Sequence, residues 1–336
     1  MNRAGQAAGG LGARRWLARL SQEQIVLLVT ALVTAVFALT LPGFATLGNL
    51  LALLNSIAVL GILSLGAAIV IIGRGLDISQ IASMAVGAAT AALVLHSGAG
   101  LGWALLAGFG IAVAIGVLNG ILVAFVEIPA LFATLATNLL VYGLARTWLF
   151  GGNAVIYLPD DAGGLMHLGD SVAGIPVPVL VFFGLCLLVH LLLSRTSVGR
   201  FIYAHGDNPD AARLTGIPVR PLTIVEYCAS AVIGYLAGLV LIAMITSINF
   251  SMITGTQIFN VILVAVLGGV SLVGGRGGVL SVIAGALLIG VVLNGMTRMN
   301  LSSDVQDIVR GLVLLAAIVL DNRLHPRDEE TARQGE

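Results

Sequence analysis

Long uninterrupted apolar runs, separated by short polar breaks, organise this chain. Residues 49–73 contain no charged side chain, nor do residues 227–275, and residues 78–126 contain none beyond the ionisable His96. A helix needs about 20 apolar residues to cross a bilayer, so each run holds one or two crossings. In lipid the backbone must satisfy its own hydrogen bonds, which long apolar runs do as helices. A membrane barrel would show alternating segments of about 10 residues, and the sequence has none. The pattern predicts helices near 25–42, 49–72, 78–97, 101–126, 129–150, 177–194, 220–247, 257–271, 278–297 and 305–321. The fold class expected is therefore all-α: a polytopic transmembrane helical bundle of about ten spans.

Composition sharpens this picture. Of 336 residues, 58% are hydrophobic and 10% charged, against roughly 25% charged in a soluble domain. All 16 basic residues are arginines. With the N-terminus in the cytoplasm and ten spans, Arg3, Arg14, Arg15, Arg19, Arg74, Arg195, Arg200, Arg213, Arg220, Arg276, Arg323, Arg327 and Arg333 fall inside. Only Arg146, Arg298 and Arg310 fall near outer span ends, and the outer segment 151–176 carries Asp160, Asp161 and Asp170 but no arginine. Cytoplasmic loops of membrane proteins carry the positive excess, so both termini are expected in the cytoplasm. The expected organisation is a cytoplasmic N-terminal segment 1–24, a membrane domain 25–321 and a cytoplasmic tail 322–336. Within the membrane domain lie an inner loop near 195–219 and a periplasmic loop near 151–176. The N-terminal arginines followed by an apolar run to Leu41 read as an uncleaved first span.

The missing chemistry is equally informative. Without lysine the chain cannot form a Walker A phosphate loop, so any ATP that drives it is hydrolysed by another polypeptide. No His-Glu-x-x-His, Cys/His cluster or catalytic carboxylate pair is present, and a net charge of zero with no basic stripe excludes a nucleic-acid partner. No catalytic residue, metal or cofactor is expected in the chain itself. Cys186 and Cys228 sit in apolar runs and read as packing residues. Ionisable groups near the apolar runs are few: Asp77, Glu226 and Arg310, all expected near span ends. A proton-coupled transporter would want a buried carboxylate chain. Asp304 and Asp307 are expected to be solvated or to serve the N-terminal dipole of the last helix. Gly116–Gly120 and Gly234–Gly238 are small-xxx-small pairs, expected to pack helices within the chain.

Three constellations interrupt the apolar runs. Gly73-Arg74-Gly75-Leu76-Asp77-Ile78-Ser79 breaks a helix, and Asp77 or Ser79 can cap the next one. It reads either as a capped turn or as a pathway-lining gate, since broken helices in transporters expose backbone polar groups to the solute. Gly268-Gly269-Val270-Ser271-Leu272-Val273-Gly274-Gly275-Arg276-Gly277-Gly278 is a second break, read as a hinge or close-packed turn; Gly-Arg-Gly occurs in both. In the third, Asn208 can cap a short helix with Pro209 at its first position and Asp210 in its first turn. Arg213 falls in the last turn and Gly216 at the stop. That helix reads as a solvated connector or as a docking helix for a soluble partner, with Leu214 and Ile217 as apolar knobs.

Taken in order, Gly-Leu-Asp-Ile-Ser (75–79), Gly-Asp-Asn-Pro-Asp-Ala-Ala-Arg-Leu-Thr-Gly-Ile (206–217), Leu-Gly-Gly-Val-Ser-Leu-Val-Gly-Gly-Arg-Gly (267–277) and Gly-Leu-Val-Leu-Leu-Ala-Ala-Ile-Val-Leu-Asp (311–321) resemble one family. It is that of the ribose-type sugar permeases of bacterial ABC importers, in the branched-chain amino acid and sugar permease superfamily. The resemblance implies a multi-pass protein of the inner membrane, paired with a second permease subunit as a homodimer or with a paralogue. It implies a cytoplasmic ATPase, often with two fused nucleotide-binding domains, which binds the ATP and magnesium, and a periplasmic solute-binding protein. It places ATPase docking on Gly206, Asp207, Asn208, Ala211, Arg213, Leu214, Gly216 and Ile217. Gly73, Gly75, Asp77, Ser79, Gly268, Gly269, Gly274, Gly275 and Asn260 stand as pathway or hinge candidates. Three departures are visible. A Tyr-Glu-Leu-Asp stretch common ahead of the second break reads Gln257-Ile258-Phe259-Asn260 here, Arg74 stands where a second Gly is common, and Glu127 stands where a basic residue is common.

The expected function is translocation of a monosaccharide or sugar-like solute by alternating access, with no covalent chemistry in the permease. The alternatives are a stand-alone secondary transporter, or an ABC permease for a nucleoside, branched-chain amino acid or furanone signal.

Overall fold

The structure, a computed structural model, describes residues 21–324. The arginines before residue 21 and those at 327 and 333 lie outside the described residues, as do most of the expected N-terminal segment and tail. Every expected helix has a counterpart. These are α1 (Gln22–Thr40), α2 (Leu47–Ile72), α3 (Gln80–His96), α4 (Leu101–Ala124), α5 (Ala130–Leu144) and α6 (Val177–Arg195). Two short helices, α7 (Ser197–Asp207) and α8 (Pro209–Leu214), precede α9 (Val219–Ile245), α10 (Gln257–Gly268), α11 (Val279–Arg298) and α12 (Ser303–Leu324). Six of them, α1, α2, α4, α6, α9 and α11, are long and apolar enough to cross a membrane; α3 and α10 are shorter apolar helices. The protein is a polytopic helical membrane protein.

Two ends can be distinguished by what the helices touch. At one, β1 (Val155–Tyr157) pairs antiparallel with β4 (Ser247–Asn249), Ile156 opposite Ile248. Beside it β2 (Ser171–Val172) and β3 (Ile175–Pro176) form a hairpin. The hairpin turns through Ala173 and Gly174, both at positive φ, as tight hairpin turns require. His96 at the end of α3 reaches the Tyr157 carbonyl at 3.0 Å, and Phe150 beyond α5 stacks on Phe250 at 4.7 Å. At the opposite end lie both glycine breaks, α7 and α8. Arg74, Arg195, Arg200, Arg213, Arg220 and Arg276 all belong to this second end. The three arginines of the sheet end each donate to neighbours within the protein. Arg146 donates to the Tyr142 hydroxyl, Arg298 to Asn49 and the Gly43 carbonyl, and Arg310 to Asp307 and Gln306.

Helix α9 is the centre of the bundle and owes this to small residues on two of its faces. A Cβ on Gly116 of α4 would lie 2.6 Å from the Cys228 Cα, and one on Gly120 would lie 2.5 Å from the Ile224 Cα. Gly234 and Gly238 do the same work toward α3, where added Cβ atoms would meet the Gln80 and Met84 carbonyls. Both small-xxx-small pairs therefore pack helices within the chain, as expected. Without a hydrophobic drive between helices in lipid, such close approach supplies the attraction. Tyr235 lies over Gly87 and Gly108 and donates to the Leu105 carbonyl at 2.9 Å. Gln80, fully buried, donates across helices to the carbonyls of Leu63 (2.9 Å) and Ser230 (3.3 Å).

The periphery is the converse. Leu28 and Leu32 of α1, Phe132 and Leu139 of α5, Phe183 and Leu187 of α6, and Leu312 and Leu315 of α12 are exposed, as faces toward lipid or a partner subunit require. Cys186 is buried in α6, Cys228 is half-buried in α9, and both are free thiols. Gly110, on α4, has no atom within 4 Å of an added Cβ. The contrast is testable by thermal unfolding in detergent. Gly116→Ala should destabilise by about 1–3 kcal/mol through overpacking. Gly110→Ala should be neutral or stabilise by up to about 1 kcal/mol through helix propensity.

Candidate functional site

Helix α7 begins at Thr196, whose hydroxyl accepts from the Gly199 amide at 3.1 Å. Gly199 admits the Leu192 and Leu193 carbonyls against its Cα, which folds α7 back on the end of α6. The chain turns again at Asn208, whose side-chain oxygen accepts from the amides of Asp210 (3.1 Å) and Ala211 (3.0 Å). With Pro209 first and Asp210 in the first turn, the expected capped helix forms; it ends at Thr215, with Gly216 at φ +83°. The sequence did not announce α7, whose charged residues hide its contacts with the core through Val198, Phe201, Ile202 and Tyr203.

The surface of α8 fits only part of the docking expectation. Leu214 is 89% exposed, and Asp207, Asn208, Ala211, Arg213 and Gly216 are exposed with it. Ile217 is half-buried and packs against the apolar core. Gly206 is buried for a different reason: α7 drives it into the glycine breaks.

The two breaks and α7 meet in one backbone junction. The Gly275 amide donates to the Ile72 carbonyl at 2.8 Å, joining the second break to the end of α2. Gly206 lies against both: a Cβ there would collide with the Ile72 carbonyl and sit 2.6 Å from the Gly275 nitrogen. A Cβ on Gly274 would be 2.7 Å from the Gly206 oxygen, and one on Gly275 would be 2.9 Å from the Asp207 Cα. Gly274, Gly275 and Gly277 hold φ of +94°, +71° and +114°, a region open to glycine and costly to other residues. The Tyr203 hydroxyl donates to the Gly277 carbonyl at 2.8 Å, one turn along α7. Burial raises the Tyr203 phenol above its ordinary pKa, so it remains a donor.

Around the junction sits a cleft of about 300 Å³ lined by Arg74, Glu127, His205, Arg213, Arg220 and Glu226, among others. Glu226, near the start of α9 as expected, is 1% exposed; its carboxylate lies against Gly73 and 3.7 Å from His205 Nδ1. Arg74 holds φ +69°, which is why glycine suits that position in the family the sequence resembles. Glu127, the acidic residue at the other departure, pairs with Arg220 at 3.4 Å. Arg220 also lies over the Phe125 ring at 5.4 Å.

Beneath the first break the polar residues bond to one another rather than cap. Ser79 occupies the position before α3 without capping it. Its hydroxyl donates to Asp77 Oδ1 at 2.6 Å and accepts from Asn119 Nδ2 at 2.6 Å. Asp77, Ser79 and Asn119 are all buried, and Asp77 lies between the ends of α2 and α3, near the span ends as expected. Gly73, Gly75, Gly268, Gly269, Gly274 and Gly275 thus belong to one region with Asp77 and Ser79. Asn260 does not: it stands near the start of α10, where Arg310 of α12 shares a cavity with it. Asp307, expected to be solvated or to serve the dipole of the last helix, stays partly exposed near the start of α12 and also pairs with Arg310 at 2.6 Å. Among the described residues no three His, Cys, Asp or Glu side chains gather as a metal site. Sequence reasoning missed Ile72, Tyr203 and Asn119. Ile72 acts through its carbonyl, which no side-chain pattern reports. Asn119, a lone amide in an apolar run, was the one available signal.

Two glycine-rich turns between membrane helices, with a loop helix packed on both, make up the candidate site. Residues 49–318 match the family model described as "Branched-chain amino acid transport system / permease component", and the chain belongs to that family. It is 31% identical to the ribose import permease protein of Escherichia coli strain K12 over 92% of this chain and 95% of that protein. It is 33% identical to the L-arabinose transport system permease protein of the same strain, over 90% and 91%. The autoinducer 2 import system permease protein of E. coli strain K12 / DH10B is 32% identical, over 91% and 90%. No solved structure matches the chain.

Gly206→Ala should disrupt the junction and lower stability by about 1–3 kcal/mol, since its Cβ has no space. Gly216→Ala, strained at φ +83° but with open space around it, should cost only about 1 kcal/mol. Thermal unfolding of the two variants, side by side, checks the difference.

Proposed function

We propose that the chain is the membrane-spanning permease subunit of an ATP-binding-cassette importer that carries a monosaccharide or sugar-like solute across the bacterial inner membrane. The observation that carries this reading is the junction. The exposed loop helix α8 and the two breaks of the bundle are joined through α7 by backbone contacts at Gly206, Ile72 and Gly275. A push on α8 from a cytoplasmic ATPase would reach both breaks without passing through a flexible side chain. The names of the relatives, which import ribose, L-arabinose and autoinducer 2, support a sugar-like cargo.

In this reading the chain crosses the membrane about ten times, with both termini and the junction end in the cytoplasm. The arginines of that end support this orientation. A second permease subunit, identical or paralogous, pairs with it through one of its exposed apolar faces. A periplasmic binding protein delivers the solute at the sheet end, against the 151–176 segment. ATP and magnesium are bound by the ATPase, and closure of its two sites moves α8. Through the Gly206 contact the breaks after α2 and α10 shift together, so that the pathway opens to one side at a time.

The proposal is tested in liposomes with the cognate ATPase and binding protein. ATP-dependent uptake of a labelled sugar is expected, with no uptake driven by a proton or sodium gradient in the chain alone. Gradient-driven uptake without the ATPase would falsify the assignment. In the same system Leu214→Asp and Arg213→Glu, both on exposed positions, should reduce transport-coupled ATP hydrolysis at least tenfold while leaving the permease folded. Unchanged coupling in both variants would remove α8 as the docking element.

A further inference from the structure

The backbone junction has a side-chain counterpart. Gly206 packs on the Ile72 carbonyl, and the residues next to these two, His205 and Gly73, both meet Glu226 of α9. His205 Nδ1 lies 3.7 Å from Glu226 Oε1, with the two side chains 12% and 2% exposed. The other ion pairs among the described residues all lie nearer to solvent. A Cβ on Gly73 would lie 2.5 Å from Glu226 Oε2, so the carboxylate occupies space that the missing side chain leaves. Among the described residues neither His205 Nδ1 nor Glu226 Oε1 has a hydrogen-bond partner. The two atoms face each other just beyond hydrogen-bonding distance. One is carried by the arm formed of α7 and α8, the other by the central helix of the bundle.

Glu226 depends on His205 for an opposing charge. The surrounding cleft also carries Arg74 of the first break, Glu127 of the turn before α5, Arg213 of α8 and Arg220 of α9. Arg220 is engaged by Glu127 and Arg213 by Asp210. Asp207 of α7 and Arg276 of the second break are exposed. Among the described residues only His205 comes within ion-pair distance of Glu226. On the break side Asp77 accepts from Ser79, and beside Glu226 the Tyr227 hydroxyl donates to the Leu76 carbonyl at 3.5 Å. Neither of these offers a positive charge.

Protonation then decides whether the contact holds. With one titratable proton shared between them the pair is neutral overall, as imidazolium with carboxylate or imidazole with carboxylic acid. Either form puts a proton between Nδ1 and Oε1 and makes a hydrogen bond. Loss of that proton leaves a buried carboxylate with no opposing charge, which is strongly unfavourable. Two such groups titrate as a unit. Lower pH therefore holds the arm on the bundle, and rising pH frees it. Histidine is the side chain whose ordinary titration falls between about pH 5 and 8.

We propose that His205 and Glu226 form a proton-sensitive latch between the arm and the first glycine break. Held, the latch restrains α7; released, it lets α7 move against the junction. Its consequence for transport rests on the permease reading above: acidification on the junction side slows uptake.

The test is hydrogen exchange, read by mass spectrometry on the full chain in lipid nanodiscs at about pH 6 and about pH 8. Protection is corrected for the intrinsic exchange rate at each pH. Peptides from α7 and from 72–79 should be at least tenfold more protected at the lower pH. Glu226→Gln and His205→Gln should each reduce that difference to less than twofold. His190→Gln, at an exposed position of α6, should keep it. Equal protection of the wild-type chain at both pH values would overturn the latch, and so would a wild-type difference in both latch variants. The wild-type comparison needs no substitution, so it decides even if a variant fails to fold. Uptake in the reconstituted importer separates the two readings. The ratio of wild-type to Glu226→Gln uptake should rise at least threefold from the lower to the higher pH, and a flat ratio overturns the latch as a control on transport. No ATP-driven uptake at either pH, with the exchange difference intact, sinks the permease reading and leaves the latch standing.

Discussion

The hydrogen bond from the Gly275 amide to the Ile72 carbonyl, 2.8 Å long, is the contact on which the rest of the architecture depends. It forms because three glycines leave their Cα atoms bare at one point. Gly206 closes over the bond from α7, and Gly274 and Gly275 adopt backbone angles that other residues reach only with strain. A side chain at any of the three would hold the loop helices away from the bundle. Backbone-to-backbone contact is stiff, since neither partner can change rotamer. A displacement of α7 is therefore passed on rather than absorbed.

The same device recurs where α9 meets its neighbours. Gly116 and Gly120 let α4 approach one face, and Gly234 and Gly238 let α3 approach the other. In a bilayer, where burying an apolar side chain gains little over leaving it in lipid, close van der Waals contact and interhelical hydrogen bonds must hold helices together. The Gln80 amide bonded to the Leu63 and Ser230 carbonyls is the second kind. The abundance of glycine in this chain is thus divided between two tasks: tight seams that do not move, and breaks that can.

Polar groups in the bundle also join its elements. Those near the junction, Asp77, Ser79 and Asn119, bond to one another and tie α3, α4 and the first break into one unit. One buried atom of each of Asp77, Asn119, Asn260 and Arg310 has no partner within the protein. The pairing of Glu127 with Arg220 shows that a departure from the resembling family can be compensated locally, without disturbing the bundle.

What the sequence alone determined is what depends on nearest neighbours along the chain and on the solvent. Long apolar runs located ten of the twelve described helices because their length answers to the bilayer. Asn208-Pro209-Asp210 specified the cap and start of α8 because capping is a local hydrogen bond. The lack of lysine excluded a phosphate loop outright. Tertiary structure alone decided that the glycines of three distant segments share one site. It also decided that Ile217 turns inward while Leu214 stands free, that Asp77 and Glu226 are buried, and that Asn260 lies apart from the breaks beside Arg310. The physical reason is the same in each case. A backbone carbonyl such as that of Ile72 has no sequence signature, and the burial of a side chain is set by helices hundreds of residues away.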